Sequence, residues 1–160
     1  MPNLCRLCGY TGSVKLKVAW IGKTRNPALE ALAEEYLQRL RRYVDIESAA
    51  LKQESALLKL CRPNARPLRF ALVLVDSRGK ELSSEQFADW LREYRDRNSR
   101  PLLFAVGSAD GFSREARAAA TLGISLGKMT LAHELARVVL LEQLYRAFTI
   151  LAGHPYHLRH

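Results

Sequence analysis

FALVLV, residues Phe70–Val75, and LLFAV, residues Leu102–Val106, decide the fold of this chain. Neither run alternates apolar with polar side chains, so each strand must be covered on both faces, as in a parallel sheet flanked by helices. Between them, Ser83 and Gln86 stand at capping-box spacing and predict a helix to about Arg97. Upstream, Leu16, Val18 and Trp20 alternate within Lys15–Ile21, a first strand. Asn26-Pro27 starts a helix: a capping side chain, then a residue with preset φ and no amide to leave unpaired. Leu29, Leu32, Tyr36, Leu37, Leu40 and Tyr43 recur at three and four and carry it to about Tyr43. Val44–Ala50 reads as a weaker strand and Gln53–Cys61 as a short helix, broken by the Pro63–Pro67 segment. Downstream, Asp76–Lys80 reads as a turn and Ser113–Leu122 as a helix. Ile124–Leu126 is a third buried strand, and roughly Ala132–Leu151 the final helix. Strands alternating with helices predict an α/β domain, a mainly parallel sheet with helices on both faces.

Composition narrows the partners. Hydrophobic residues at 48% and charged residues at 26% of 160 exclude a disordered or fibrous chain and suit one globular domain. No apolar run approaches the roughly 20 residues a membrane span requires. MPNLCRLCGYTGS lacks the basic start and apolar stretch of a signal peptide, and three cysteines suit a reducing compartment, so a cytoplasmic protein without membrane contact is expected. Lys and Arg outnumber Asp and Glu by 25 to 16, a net charge of +9 that favours nucleic acid before membrane. Arginine suits forked contacts to phosphate, although any one arginine is better read as part of a solvated helix face.

Ligands of such sheets bind where loops leave the carboxyl ends of the strands. Those ends are Val75-Asp76, Gly107–Gly111 and Leu126–Leu131. Neither a dinucleotide-binding G-x-G-x-x-G nor a P-loop is present. Cys5-x-x-Cys8 resembles half a zinc knuckle, but a structural zinc needs four ligands and Cys61 stands apart, so no metal is expected. Residues 1–13 are read as an extension ahead of a single domain over 14–160. On the final helix Val138, Leu141, Leu144, Tyr145 and Phe148 form the core stripe, which leaves Arg137, Glu142 and Arg146 to be explained. Glu142 and Arg146 are four apart with the acid first, either an ordinary surface ion pair or a pair that aims the guanidinium at a ligand. His154, Tyr156 and His157 follow Gly153 in a tail stiffened by Pro155.

The loop AVGSADGFS, the segment SLGKMTLAHELARVVLLEQLYRAF and the ending HPYH closely resemble the ribosomal large-subunit pseudouridine N3-methyltransferases of the RlmH type, within the SPOUT class. The resemblance runs from about Lys15 to His157. It implies a trefoil-knotted α/β domain, a homodimer, and S-adenosylmethionine as methyl donor held mostly by backbone groups. The implied cofactor contacts are Val75, Gly107, Leu126, Gly127, Lys128, Met129, Thr130 and Leu131. The implied substrate is a pseudouridine of large-subunit rRNA in an assembled ribosome. Two positions depart from the family's pattern: Gly107-Ser108 stands where paired glycines are common, and Ala132-His133-Glu134 where proline often flanks the histidine.

On this reading Arg146 stabilises charge on the imide oxygens and Glu142 orients it. His157 or Tyr156 takes the proton, and Tyr156 alternatively stacks on the base or packs a dimer. The rival readings are a non-catalytic RNA-binding or ribosome-assembly protein on the same scaffold, and a SPOUT enzyme acting on tRNA.

Overall fold

The computed structural model describes residues 15–67 and 69–158, the side chains of His157 and Leu158 excepted. Cys5, Cys8 and His160, the extension over 1–13 and the imidazole of His157 therefore lie outside the described residues. Five parallel strands form one sheet in the order β2-β1-β4-β3-β5, with β1 Leu16–Ile21, β2 Ile46–Leu51, β3 Ala71–Glu81, β4 Leu102–Val106 and β5 Leu122–Ser125. The helices are α1 Pro27–Leu40, α2 Glu54–Cys61, α3 Ser84–Arg97, α4 Arg114–Ala119 and α5 His133–Leu151, followed by a 3-10 turn Pro155–Leu158. One apolar core joins the sheet to α1, α3 and α5, the other to α2 and α4. Both faces of the central strands are thus covered, as FALVLV and LLFAV require.

Local signals hold where the chemistry is short-range. The Asn26 side chain accepts from the amides of Ala28 (2.9 Å) and Leu29 (3.4 Å), and the Ser83–Gln86 capping box is closed in both directions. Several boundaries differ, β2 among them, which starts at Ile46 rather than Val44. α1 stops at Leu40, because the amides of Tyr43 and Val44 both turn back to the Leu40 carbonyl. α4 stops at Ala119: Ala120 is extended, and the Thr121 amide bonds Leu72 O at 2.8 Å, drawing Leu122 into β5 rather than α4. Consequently β5 starts two residues before the expected Ile124 and ends at Ser125.

The larger difference is at Asp76–Lys80, expected as a turn. It is extended and continues β3 to Glu81. Ile124 pairs with Val75 and also with Lys80, and Ser125 with Glu81. Since a strand residue has two edges, β3 must cross from one edge of β5 to the other between these pairs. Gly79 is the crossing point. A Cβ on it would stand 2.4 Å from the Ile124 carbonyl carbon and 2.6 Å from that of Gly123. Here glycine is required by the approach of two backbones, its φ lying outside the left-handed region. A chain looped over β5 in this way is the arrangement that a knotted C-terminus would use.

Candidate active site at the strand ends

Register brings the three expected loops together. Val75 pairs with Val106 on β4 and with Ile124 on β5, so the segments after Val75, at Gly107 and from Leu126 leave neighbouring strand ends. Gly107 is buried, and a Cβ there would press the Phe112 ring at 3.1 Å. Beyond it the Gly111 amide bonds Ser108 O at 3.0 Å, with Gly111 at φ +74°, so Ser108 closes a tight turn in place of a second glycine. The Ser125 hydroxyl donates to Gly127 O (2.9 Å) and accepts from its amide (3.3 Å), holding Gly127 at φ +132° with open space where a Cβ would be. Lys128, Met129 and Thr130 are exposed, Met129 to 86%, while Leu131 packs on the core. Asp76 anchors the crossing strand, accepting from the Arg78 amide and from Arg117 Nε, both at 2.9 Å. Burial opposes its ionisation, yet these two donors hold its pKa below the usual value.

A cleft of about 350 Å³ opens between the start of α3, the end of β5 and the middle of α5. Leu126 and Gly127 line it, together with Ser84 and Gln143; Val75 and Gly107 do not. Gln143 was not singled out in the sequence. It accepts from the Ser84 hydroxyl at 2.7 Å and donates to Glu142 Oε2 at 2.7 Å, linking the cleft to the charged pair on α5. Its signal was a polar side chain on the helix face that carries Ala136, Leu140 and Ala147.

Glu142 and Arg146 form more than an ordinary surface pair. Glu142 Oε1 accepts from Arg146 Nε (3.1 Å) and Nη2 (2.7 Å) and from the Tyr156 hydroxyl (3.3 Å). The guanidinium stands 5.2 Å from the Tyr156 ring centroid, and Tyr156 packs edge-on to Tyr145 at 4.8 Å. Three of the four expected catalytic side chains therefore meet. Burial first, then the neighbouring Tyr36 and Glu142, push the Tyr156 pKa up to about 12. The tail is tied down by His154 N to Thr149 O, 2.8 Å.

Arg137, unexplained by sequence, is 1% exposed. It stacks 4.0 Å from the Trp20 ring centroid and donates to Thr24 Oγ1 (2.9 Å) and Glu30 Oε2 (2.7 Å). Glu134, beside the histidine, accepts from the amides of Arg25 (2.9 Å) and Asn26 (3.1 Å). Together they bind the start of α5 to the β1–α1 loop.

Comparison with known proteins follows this geometry. Residues 14–157 match the family described as "Predicted SPOUT methyltransferase". A protein of Koribacter versatilis named "Ribosomal RNA large subunit methyltransferase H" is 54% identical over 146 residues, covering 90% of this chain and 98% of the relative. One of the same name from Geotalea daltonii is 41% identical over 157 residues, covering 90% and 99%. A probable methyltransferase of Bordetella pertussis matches in fold at TM-score 0.55 and 10% identity, covering 86% of this chain and 96% of that one. The SpoU methyltransferase AviRb of Streptomyces viridochromogenes does so at TM-score 0.54 and 14% identity, covering 96% and 66%.

An α/β sheet with a ligand-sized opening at its carboxyl edge and a charged pair beside it is the frame of a group-transfer enzyme. The chain belongs to the SPOUT methyltransferase family, and S-adenosylmethionine is its cofactor. The strand ends fit that group: Gly127 leaves open space where a side chain would stand, and residues 128–130 beside it are exposed.

Proposed function

We propose that this protein methylates N3 of a pseudouridine in large-subunit ribosomal RNA, as a cytoplasmic homodimer acting on an assembled ribosome. The observation that carries the reading is the 54% identical relative, named for large-subunit rRNA and covered over 98% of its length. The net charge of +9 supports a phosphate-rich partner. Among the described residues no helix is long and apolar enough to cross a membrane. Exposed Met129 and Leu135 offer apolar surface to a second copy. The family match begins at residue 14, and residues 1–13 stand upstream of the catalytic domain.

N3 of pseudouridine lies between two carbonyls and becomes a nucleophile only when its imide proton leaves. Val75, Gly107 and Leu126–Leu131 would hold the cofactor through backbone groups, Leu126 and Gly127 from the wall of the cleft, and S-adenosylmethionine bound there would supply an electrophilic methyl group on a positively charged sulfur. Arg146, with Nε and Nη2 engaged by Glu142, presents Nη1 to an imide oxygen and stabilises the charge that develops there. Glu142 fixes the plane of that guanidinium, and Gln143 fixes Glu142. Tyr156, a neutral phenol throughout the cellular pH range, stacks and donates. Proton acceptance falls to His157, since histidine is the side-chain type whose ordinary titration range lies nearest cellular pH.

The test is transfer of a labelled methyl group to ribosomes that lack the modification, followed by nucleoside mass spectrometry. Labelled N3-methylpseudouridine is the expected product. Label confined to tRNA or to another nucleoside would overturn the assignment.

A further inference from the structure

Some exposed arginines of this chain have acids beside them: Arg39 with Glu35, Arg41 with Glu34 at 2.8 Å, and Arg92 with Asp89 at 2.6 Å. Arg25, Arg42, Arg78 and Arg114 make no ion pair among the described residues and stand apart from one another along the sequence. Arg62, Arg66, Arg69, Arg97 and Arg100 are different. All five are exposed, and none makes an ion pair among the described residues. Topology gathers them. Arg62, Arg66 and Arg69 occupy the α2–β3 connection or its helix cap, and Arg97 and Arg100 end α3 and lead into β4. β3 and β4 are parallel neighbours, so both connections lie at the amino ends of adjacent strands, the pole of the sheet opposite the cofactor loops.

The backbone there is fixed. The Ala71 amide bonds Pro101 O at 2.9 Å, locking the two connections side by side, and the Phe70 amide bonds Leu60 O at 3.0 Å. The Tyr94 hydroxyl donates to Arg100 O at 3.1 Å, and Arg69 Nε donates to Cys61 O at 3.1 Å, its terminal nitrogens having no hydrogen bond among the described residues. A solvated helix face would carry interspersed acids. Here the nearby acids in sequence are Glu93 and Asp96, and Asp96 is already engaged. Arginine, with its planar fork and weak hydration, suits bidentate phosphate contact better than solubility requires.

We propose that Arg62, Arg66, Arg69, Arg97 and Arg100 form a second RNA-contact surface, which grips the phosphate backbone remote from the target nucleotide. The five residues of β4 alone separate the two poles by about 17 Å, so the phosphates held here belong to RNA several nucleotides away in space from the methylated base. The surface contributes affinity and orientation, with no base readout. Its partner class rests on the rRNA reading above.

The experiment compares wild type with R66E/R69E/R100E and with the neutral R66Q/R69Q/R100Q, measuring binding to ribosomes and to naked large-subunit rRNA across a salt series. Each lost phosphate contact should flatten the slope of log K against log salt by about 0.7–0.9. The charge reversal should weaken both partners by more than tenfold near 0.15 M salt. The cofactor-induced rise in melting temperature and kcat at saturating ribosomes should stay at the wild-type level. Binding within twofold of wild type with an unchanged slope overturns the proposal. Loss on ribosomes with unchanged binding to naked rRNA also overturns it, assigning the surface to an acidic protein. If wild type fails to methylate ribosomes while the variants still lose RNA affinity, the N3-methyltransferase assignment falls and this surface stands.

Discussion

Arg146 illustrates how little a single side chain declares in sequence. Its spacing from Glu142 fits an ordinary helix pair, and only the fold adds the Tyr156 ring and the Gln143 link. Arg146→Ala should lower methyl transfer to ribosomes by about 10²–10³-fold, while calorimetry of cofactor binding shows little change; near-normal turnover would remove Arg146 from the chemistry. Gly79 is the opposite case. In the sequence it marks a turn, since a glycine can be needed for its φ or for its missing Cβ and the letter does not say which. The structure assigns the second reason, because the conflict is with the Ile124 backbone and no rotamer relieves it. Gly79→Ala should cost about 3 kcal/mol or more in urea unfolding, at or beyond the upper range for overpacking. A Gly22→Ala control, with φ +102° and nothing within 4 Å, reports strain without a clash.

At the level of elements, β4 was legible to the residue because a strand apolar on both faces is set by burial. The end of α4 was not, because a long-range partner ends it, Leu72 O taking the Thr121 amide from across the sheet, while α1 ends in a local turn onto Leu40 O that its apolar spacing does not announce. The buried Arg137 was equally silent, lying on an apolar helix whose stripe it interrupts. Its environment gives an asymmetric prediction. Glu30, itself 54% exposed, solvates the buried cation. Glu30→Gln should therefore destabilise by on the order of 3 kcal/mol, whereas Arg137→Met, which removes the charge and fills the space, should stay within about 1 kcal/mol of wild type. Acid stability follows from the same contacts. The Arg137 hydrogen bond lowers the pKa of Glu30 from its ordinary 4.5. At Asp76 the Arg78 amide and Arg117 outweigh burial and lower it from 3.8. A carboxylate whose folded pKa is depressed stabilises the fold above the unfolded value and loses that contribution as pH falls through the folded one. The urea midpoint should hold steady down to about pH 5 and drop below about pH 4.5, and Asp76→Asn with Glu30→Gln should flatten that drop.

For the molecule as a whole, Val75 was read as a strand end and lies within β3, while the ends of β4 and β5 were readable because a parallel sheet places its ligands there. The crossing of β3 over β5 was not, since it depends on contact between residues forty-odd positions apart that no local pattern records. Two measurements probe the assembled site. Cofactor at a hundred times its Kd should stabilise the folded protein by about 2.7 kcal/mol, seen as a higher melting temperature. Removal of everything after Leu151 should abolish methyl transfer yet leave a cooperative unfolding transition, because the core closes through α5 itself and the tail lies over it. The crossing also bears on self-association. β5 is last in strand order, yet Lys80 and Glu81 already occupy its outer side. Among the described residues β2 is the margin with no strand beyond it, and its exposed residues include Glu47 and Ser48. A short margin that carries a charge, opposite one partly covered by the returning strand, offers poor purchase for the edge-to-edge growth that leads to aggregates.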